Sequence, residues 1–153
     1  MICRSCKSSK LNLMIDLGHT PPSNSFLYKK DLKNNELFYP LKIYVCSNCW
    51  LVQTLDVIDE KSLFNPEYLY LSSYSETFLS HVHDYTRDII KRFDLSNSNS
   101  LLEIASNDGY LQDRFAEFGL ELLGIEPTSI AANISKSKGH KVIKNFFGLN
   151  FSK

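Results

Sequence analysis

The stretch LLEIASNDGYL, residues 101–111, decides how the back half of this chain folds. A short apolar run carrying one acid, Glu103, passes into a polar turn that ends at Gly109. That order reads as a buried strand, a turn and the start of a helix. Two glycines of the G-x-G-x-x-G dinucleotide fingerprint are missing, which argues against backbone amides packed on a pyrophosphate. Asp108 would also repel a pyrophosphate, and it suits a cationic or zwitterionic ligand, such as one bearing an amine and a sulfonium. Ala105 is small enough to let the backbone approach a ligand. Asn107 tolerates a left-handed conformation and can do glycine's work there. Gly109 relaxes the turn into the helix.

Downstream, Leu111, Phe115 and Phe118 mark one helical face, with Gly119 at the C-cap position. LELLGIE, residues 120–126, reads as a second strand. Ile130, Ala131 and Ile134 mark a second helix ending near Gly139, and KVIKNFF, residues 141–147, is a third strand or its exit. Strands alternating with ten-residue helices imply right-handed crossovers and a parallel sheet. Ligands bind such sheets at the carboxyl ends of the strands, near the topological switch point. The 103–109 turn stands there. So does Glu126, seventeen residues beyond Gly109. A carboxylate at that place can accept hydrogen bonds from both hydroxyls of a ribose, and Pro127 stops the strand and aims it. An exposed strand-end charge is the other reading of Glu126.

Upstream, Phe78, Val82, Tyr85, Ile89 and Phe93 recur at helical spacing, and the stripe reads as core contact. Ser73 and Glu76 offer a capping box at the start of that helix. DLSNSNS, residues 94–100, is a polar hinge and the best domain boundary. Residues 1–50 read as short strands and turns, with apolar alternation in LNLMIDLG and a run PLKIYVC.

Two C-x-x-C pairs punctuate this front part: C-R-S-C at 3–6 and C-S-N-C at 46–49. Two intervening residues let both thiolates of a pair point at one tetrahedral ion. Cys3, Cys6, Cys46 and Cys49, with no fifth cysteine, fit a structural zinc site without an open position. Disulfides or coincidental core cysteines are the alternatives. His19, His81, His83 and His140 stand apart from the pairs and read as surface or capping residues.

Seventeen basic and seventeen acidic residues cancel, so no global field calls for nucleic acid or an anionic membrane. Residues 1–50 are mildly basic, with seven Lys/Arg against three Asp/Glu. Met1-Ile2 is followed at once by polar residues with no signal-peptide core, and no stretch approaches the roughly 20 apolar residues of a membrane span. A cytoplasmic, soluble protein is the expectation, which weighs against disulfides.

With both parts in view, the chain resembles the amino-terminal portion of the sugar C-methyltransferases that act on nucleotide-linked keto-deoxysugars. The ordered set carries the resemblance: CRSC, DLGHTPPSNSFL, YPLKIYVCSNCWLVQ, YLYLSSYS, LLEIASNDGYLQ, LGIEPT and FFG. It implies an α/β chain in which a small, β-rich, four-cysteine zinc-binding module precedes the first half of a Rossmann-like class I methyltransferase domain. The boundaries it implies are 1–72 for the zinc-binding domain, 73–98 for a linker helix and 99–153 for the first three strands of the methyltransferase domain. S-adenosylmethionine would lie over the EIASNDG turn, contacted by Ser72, Glu103, Ala105, Asn107, Asp108 and Gly109, with Glu126 on its ribose. Tyr68 and especially Tyr70 would face the active site, with Ser73 beside the cleft; an aromatic plug is their alternative role. In this family a base removes a proton next to the sugar ketone and the resulting enolate attacks the sulfonium methyl.

Such enzymes are much longer than this chain, and no residue in 1–153 is assignable as the base. The strand at 101–105, central in the family, is expected to be an open edge here, inviting a complementing half or self-association. Weak cofactor binding and no turnover are expected of the chain alone. A zinc-based interaction or nucleic-acid module is the rival reading, disfavoured because no dense basic stripe exists. A non-catalytic half of a split enzyme is the other.

Overall fold

Alternating apolar and polar residues extend as β1 (Leu11–Thr20), which pairs antiparallel with β2 (Tyr39–Cys46). β2 pairs in turn with β3 (Val52–Thr54), giving the order β1-β2-β3. The computed structural model describes residues 1–149 and 151 and divides the chain into two units, Met1–Leu63 and Phe64–Lys153. Directly paired residues share a sheet face, so Leu13, Tyr44 and Gln53 lie together. β1 slips register between Leu13 and Ile15 and again between Asp16 and His19, next to the left-handed Gly18. A cross-strand pair of Lys42 and Asp16 at 2.8 Å holds the strand between those irregularities. α1 (Glu60–Leu63) closes the unit. Its fully buried residues are few: Cys3, Tyr44, Cys46 and Gln53. Leu13, Met14, Leu17, Phe26, Leu37 and Phe38 all remain exposed.

The first α-helix of the second unit is α2 (Glu76–Phe93). Its N-cap is Ser75, whose hydroxyl accepts the Phe78 N–H at 3.2 Å, and not the expected Ser73. Ser73 lies inside a short 3-10 turn, Ser72–Tyr74, while Ser75 is extended as a cap must be. The buried line of α2 is Val82 and Thr86, the Thr86 hydroxyl being satisfied by the Val82 carbonyl at 2.9 Å. The expected core stripe is thus only partly core. Phe78, Tyr85 and Phe93 are exposed, although the Phe78 ring still packs on Tyr110 at 5.3 Å between centroids.

Then come β4 (Ser100–Ile104), α3 (Tyr110–Ala116), β5 (Glu121–Ile125), α4 (Ser129–Ser137) and β6 (Val142–Ile143). The three strands are parallel in the order β4-β5-β6. Gly119 and Gly139 follow the two helices with φ of 75° and 94°, the left-handed exit that glycine allows. Phe115, Leu120, Ile125, Ala131, Ala132 and Val142 form the core. β4 is an edge among the described strands, as expected. It is not the fully buried strand that its apolar run implied: Leu102 and Ile104 are 50% and 53% exposed, while Glu103 between them is buried. Successive right-handed crossovers in one direction place α3 and α4 on one face, and Leu102 and Ile104 point to the other. No helix among the described residues is long and apolar enough to cross a membrane.

Candidate functional site

The two C-x-x-C turns of Met1–Leu63 are the same turn made twice. Cys3 donates its N–H to Ser8 at 2.8 Å and accepts from Lys7 at 3.1 Å. Cys46 donates to Leu51 at 3.0 Å and accepts from Trp50 at 2.9 Å. The fourth residue after each leading cysteine is left-handed, Lys7 with φ of 60° and Trp50 with φ of 63°. Neither is glycine, which is why this symmetry is not legible in the spacing. Gln53 ties β3 to the first turn, accepting the Arg4 N–H at 3.0 Å and donating to the Ile2 carbonyl at 3.4 Å.

These turns bring all four sulfurs within 4.8 Å of one another. The cross-pair separations, Cys3 to Cys49 and Cys6 to Cys46, are both 3.6 Å. A tetrahedral ion with sulfur bonds of about 2.3 Å sets its ligand sulfurs about 3.8 Å apart, so the cluster fits zinc. A disulfide needs about 2.05 Å, and all four cysteines are free. Local donors favour the thiolate at the first turn: the Cys6 backbone N–H holds the Cys3 thiol below its usual value, and Asn48, then the Ser8 amide, bring Cys6 down to about 6. Cys49 goes the other way: the Leu51 amide lowers it, but Cys6, burial, Cys3 and Cys46 together push it up to about 11. Zinc takes its sulfur ligands as thiolates.

The second site lies wholly within Phe64–Lys153, at the carboxyl ends of β4 and β5. A cavity of about 370 Å³ is lined by Tyr68, Tyr70, Ser72, Ala105, Asn107 and Glu126, six of the residues singled out from the sequence. Ile104, Ile125, Pro127, Thr128, Phe146 and Phe147 complete much of its wall. That size suits a small-molecule ligand. Glu103, Asp108 and Gly109 do not line it. Glu103 alternates with Ile104 along β4 and faces the other way, Asp108 is 1% exposed, and Gly109 opens α3 with φ of 80°.

The turn is built without glycine where glycine is usual. Ala105 and Asn107 are left-handed, with φ of 60° and 48°. Its shape is held by Glu126, buried at 4% exposure. One oxygen of Glu126 accepts the Asn107 N–H at 2.9 Å; the other accepts the Thr128 N–H at 2.8 Å and the Thr128 hydroxyl at 2.6 Å. Glu126 is therefore not a free strand-end charge. Thr128 was missed in the sequence, although E-P-T places a hydroxyl two residues after the acid, where a local hydrogen bond forms readily.

Acidic side chains gather under this turn. Burial pushes Glu103 up to about 8, helped by Glu126 and Asp108. Burial, then Glu103, Tyr70 and Asp108, also raise Tyr110. Both Asp108 oxygens and one Glu103 oxygen have no hydrogen-bond partner among the described residues. Orphaned buried carboxylates of this kind call for a partner that the described residues do not supply. A neighbouring cluster does not read as catalytic. Asp113 holds His140 at 2.6 Å and Lys138 at 2.9 Å, while the buried Ser135 hydroxyl turns to Gln112 at 3.3 Å. These bonds tie α3 to the exit of α4.

Comparison with known proteins matches both ends of this description. Residues 3–64 match the family described as "Putative zinc binding domain". The C-methyltransferase NovU of Streptomyces niveus is 26% identical over 141 residues, which cover 92% of this chain and 33% of the relative. The chain thus spans about a third of the curated relative that it matches. The resemblance to the front portion of a C-methyltransferase, with a zinc-binding module first, holds along nearly the whole sequence.

Proposed function

We propose, from a chain similar to the front third of a C-methyltransferase, that the pocket at β4 and β5 is the S-adenosylmethionine site of such an enzyme. In this reading 1–72 is the zinc-binding domain, although its last nine residues belong to the second compact unit, 73–98 is the joining helix and 99–153 is the first half of a Rossmann-like class I methyltransferase domain. The observation that carries it is Glu126, a buried carboxylate that lines the pocket beside the 105–109 turn, with Asp108 buried behind that turn and both its oxygens unpartnered among the described residues. A ribose answers Glu126, and a cationic end suits the acids behind the turn. When bound it supplies an electrophilic methyl group. Ser72, Ala105, Asn107 and Glu126 would line its pocket, with Glu103, Asp108 and Gly109 behind the turn.

The acceptor in this reading is a nucleotide-linked keto-deoxysugar, the substrate class of the family that the chain resembles. Tyr70, and Tyr68 beside it, would offer phenol donors to the oxygen on which charge develops. Cys3, Cys6, Cys46 and Cys49 would hold one structural zinc ion. Leu102 and Ile104, apolar and half exposed on an edge strand, favour a further strand-and-helix layer as the cover of that side, whether from more of the same polypeptide, a complementing one or a second copy. Without that cover the chain binds cofactor weakly and does not turn over.

The test is calorimetric titration of the chain with S-adenosylhomocysteine. Weak binding that Asp108→Asn and Glu126→Gln both abolish is expected. No heat at millimolar ligand, or binding indifferent to both substitutions, rejects the reading. Methyl transfer by the chain alone would overturn the statement about turnover.

A further inference from the structure

The segment that carries Tyr68 and Tyr70 belongs to no strand. Leu71 is nonetheless extended, with φ of −119° and ψ of 121°. Alternate side chains of an extended segment point the same way, and Tyr68, Tyr70 and Ser72 all line the pocket. One side chain of the 105–109 turn, Asn107, meets the main chain of this arm. The Asn107 carboxamide accepts the Ser72 N–H at 2.8 Å and donates to the Tyr70 carbonyl at 3.1 Å. It satisfies the two backbone groups that a neighbouring strand would satisfy. The same residue's backbone N–H donates to Glu126 at 2.9 Å.

We infer that Asn107 is a positioning residue. It clamps the aromatic arm over the pocket and couples the arm to whatever occupies Glu126. Three bonds from one left-handed residue connect the arm, the turn and the acid. A ligand seated against Glu126 also touches Tyr68, Tyr70 and Ser72, and it can do so only while the arm is clamped. It therefore binds the clamped state more tightly and shifts the arm toward it. Linkage is reciprocal: whatever factor the ligand adds to the clamp, the clamp adds to the ligand's affinity. Bound cofactor thus holds the tyrosines where the acceptor would meet them. This coupling to the cofactor rests on the cofactor reading above; the clamp itself does not.

Two substitutions separate the parts. Asn107→Gly keeps the left-handed backbone and the amide to Glu126 but deletes both clamp bonds. Asn107→Asp keeps the acceptor for Ser72 and loses the donor to Tyr70. Residue-resolved hydrogen exchange on the 153-residue chain, with and without S-adenosylhomocysteine, reads the result. In the wild type the Ser72 amide is protected, and ligand increases that protection. Asn107→Gly abolishes it and weakens ligand binding about tenfold, the effect of two ordinary hydrogen bonds. Asn107→Asp restores protection at Ser72 in part. Unchanged Ser72 protection in a folded Asn107→Gly chain overturns the clamp. Equal ligand affinity of wild type and Asn107→Gly overturns the coupling. If the wild type binds no ligand while Asn107→Gly loses Ser72 protection, the clamp stands and the cofactor reading fails.

Discussion

At the scale of single residues, Gly109 and Glu103 carry the sharpest consequences. Gly109 has φ of +80°, and a Cβ there would meet the Ser135 Oγ at 2.6 Å and the His140 Cδ2 at 2.8 Å. Gly18 has the same φ with nothing within 4 Å. Gly18→Ala should therefore cost only the left-handed strain, about 1 kcal/mol. Gly109→Ala adds a collision in a packed corner and should cost about 3 kcal/mol, measurable by chemical denaturation. Glu103 makes stability depend on pH. Its folded value is raised from 4.5 to about 8, first by burial and then by Glu126 and Asp108. Between those values the folded state holds a proton that the unfolded state has lost, so stability falls as pH rises through that window. Glu103→Gln should remove this slope. Its advantage over the wild type should grow from pH 5 to pH 8.5, by up to about 4 kcal/mol in paired melting curves. A pH-independent difference would mean that Glu103 is ionised throughout.

At the scale of elements, α2 shows what local pattern can and cannot specify. Its helical period is plain in the sequence, from Phe78 to Phe93. Its start is ambiguous because Ser72, Ser73 and Ser75 all precede the helix within four residues. Only the 3-10 turn, which takes Ser73 out of the extended conformation, assigns the cap to Ser75. Ser75→Ala should cost about 1 kcal/mol, and Ser73→Ala should stay within about 0.5 kcal/mol. Equal effects in thermal melts would put the cap back at Ser73. The rotational face of α2 was misread for a related reason. Phe78, Tyr85 and Phe93 are the larger apolar groups, but Thr86 can be buried because its hydroxyl returns to the Val82 carbonyl. Hydrophobic spacing does not register that bond.

At the scale of the whole molecule, the two units differ in what stabilises them. Met1–Leu63 fully buries two of its four cysteines, one tyrosine and one glutamine, too little apolar surface to fold by burial alone. A strong zinc chelator at neutral pH should abolish its β-sheet amide protection while helices α2, α3 and α4 retain theirs, as read by hydrogen exchange. Loss of protection in both units together would show a single cooperative structure. The sequence by itself determined much of this. The C-x-x-C pairs marked the cluster, glycines at 119 and 139 the helix ends, and alternation of strand and helix the parallel sheet. These signals are local, set by spacing along the chain and by what a backbone without Cβ can do. The tertiary structure alone decided that Glu126 is enclosed by Asn107 and Thr128, that Asp108 is buried with no hydrogen-bond partner among the described residues, and that Asn107 spends its carboxamide on the tyrosine arm. Each depends on groups up to 37 residues apart meeting across the sheet ends. One-dimensional spacing carries no information about which donors will arrive there.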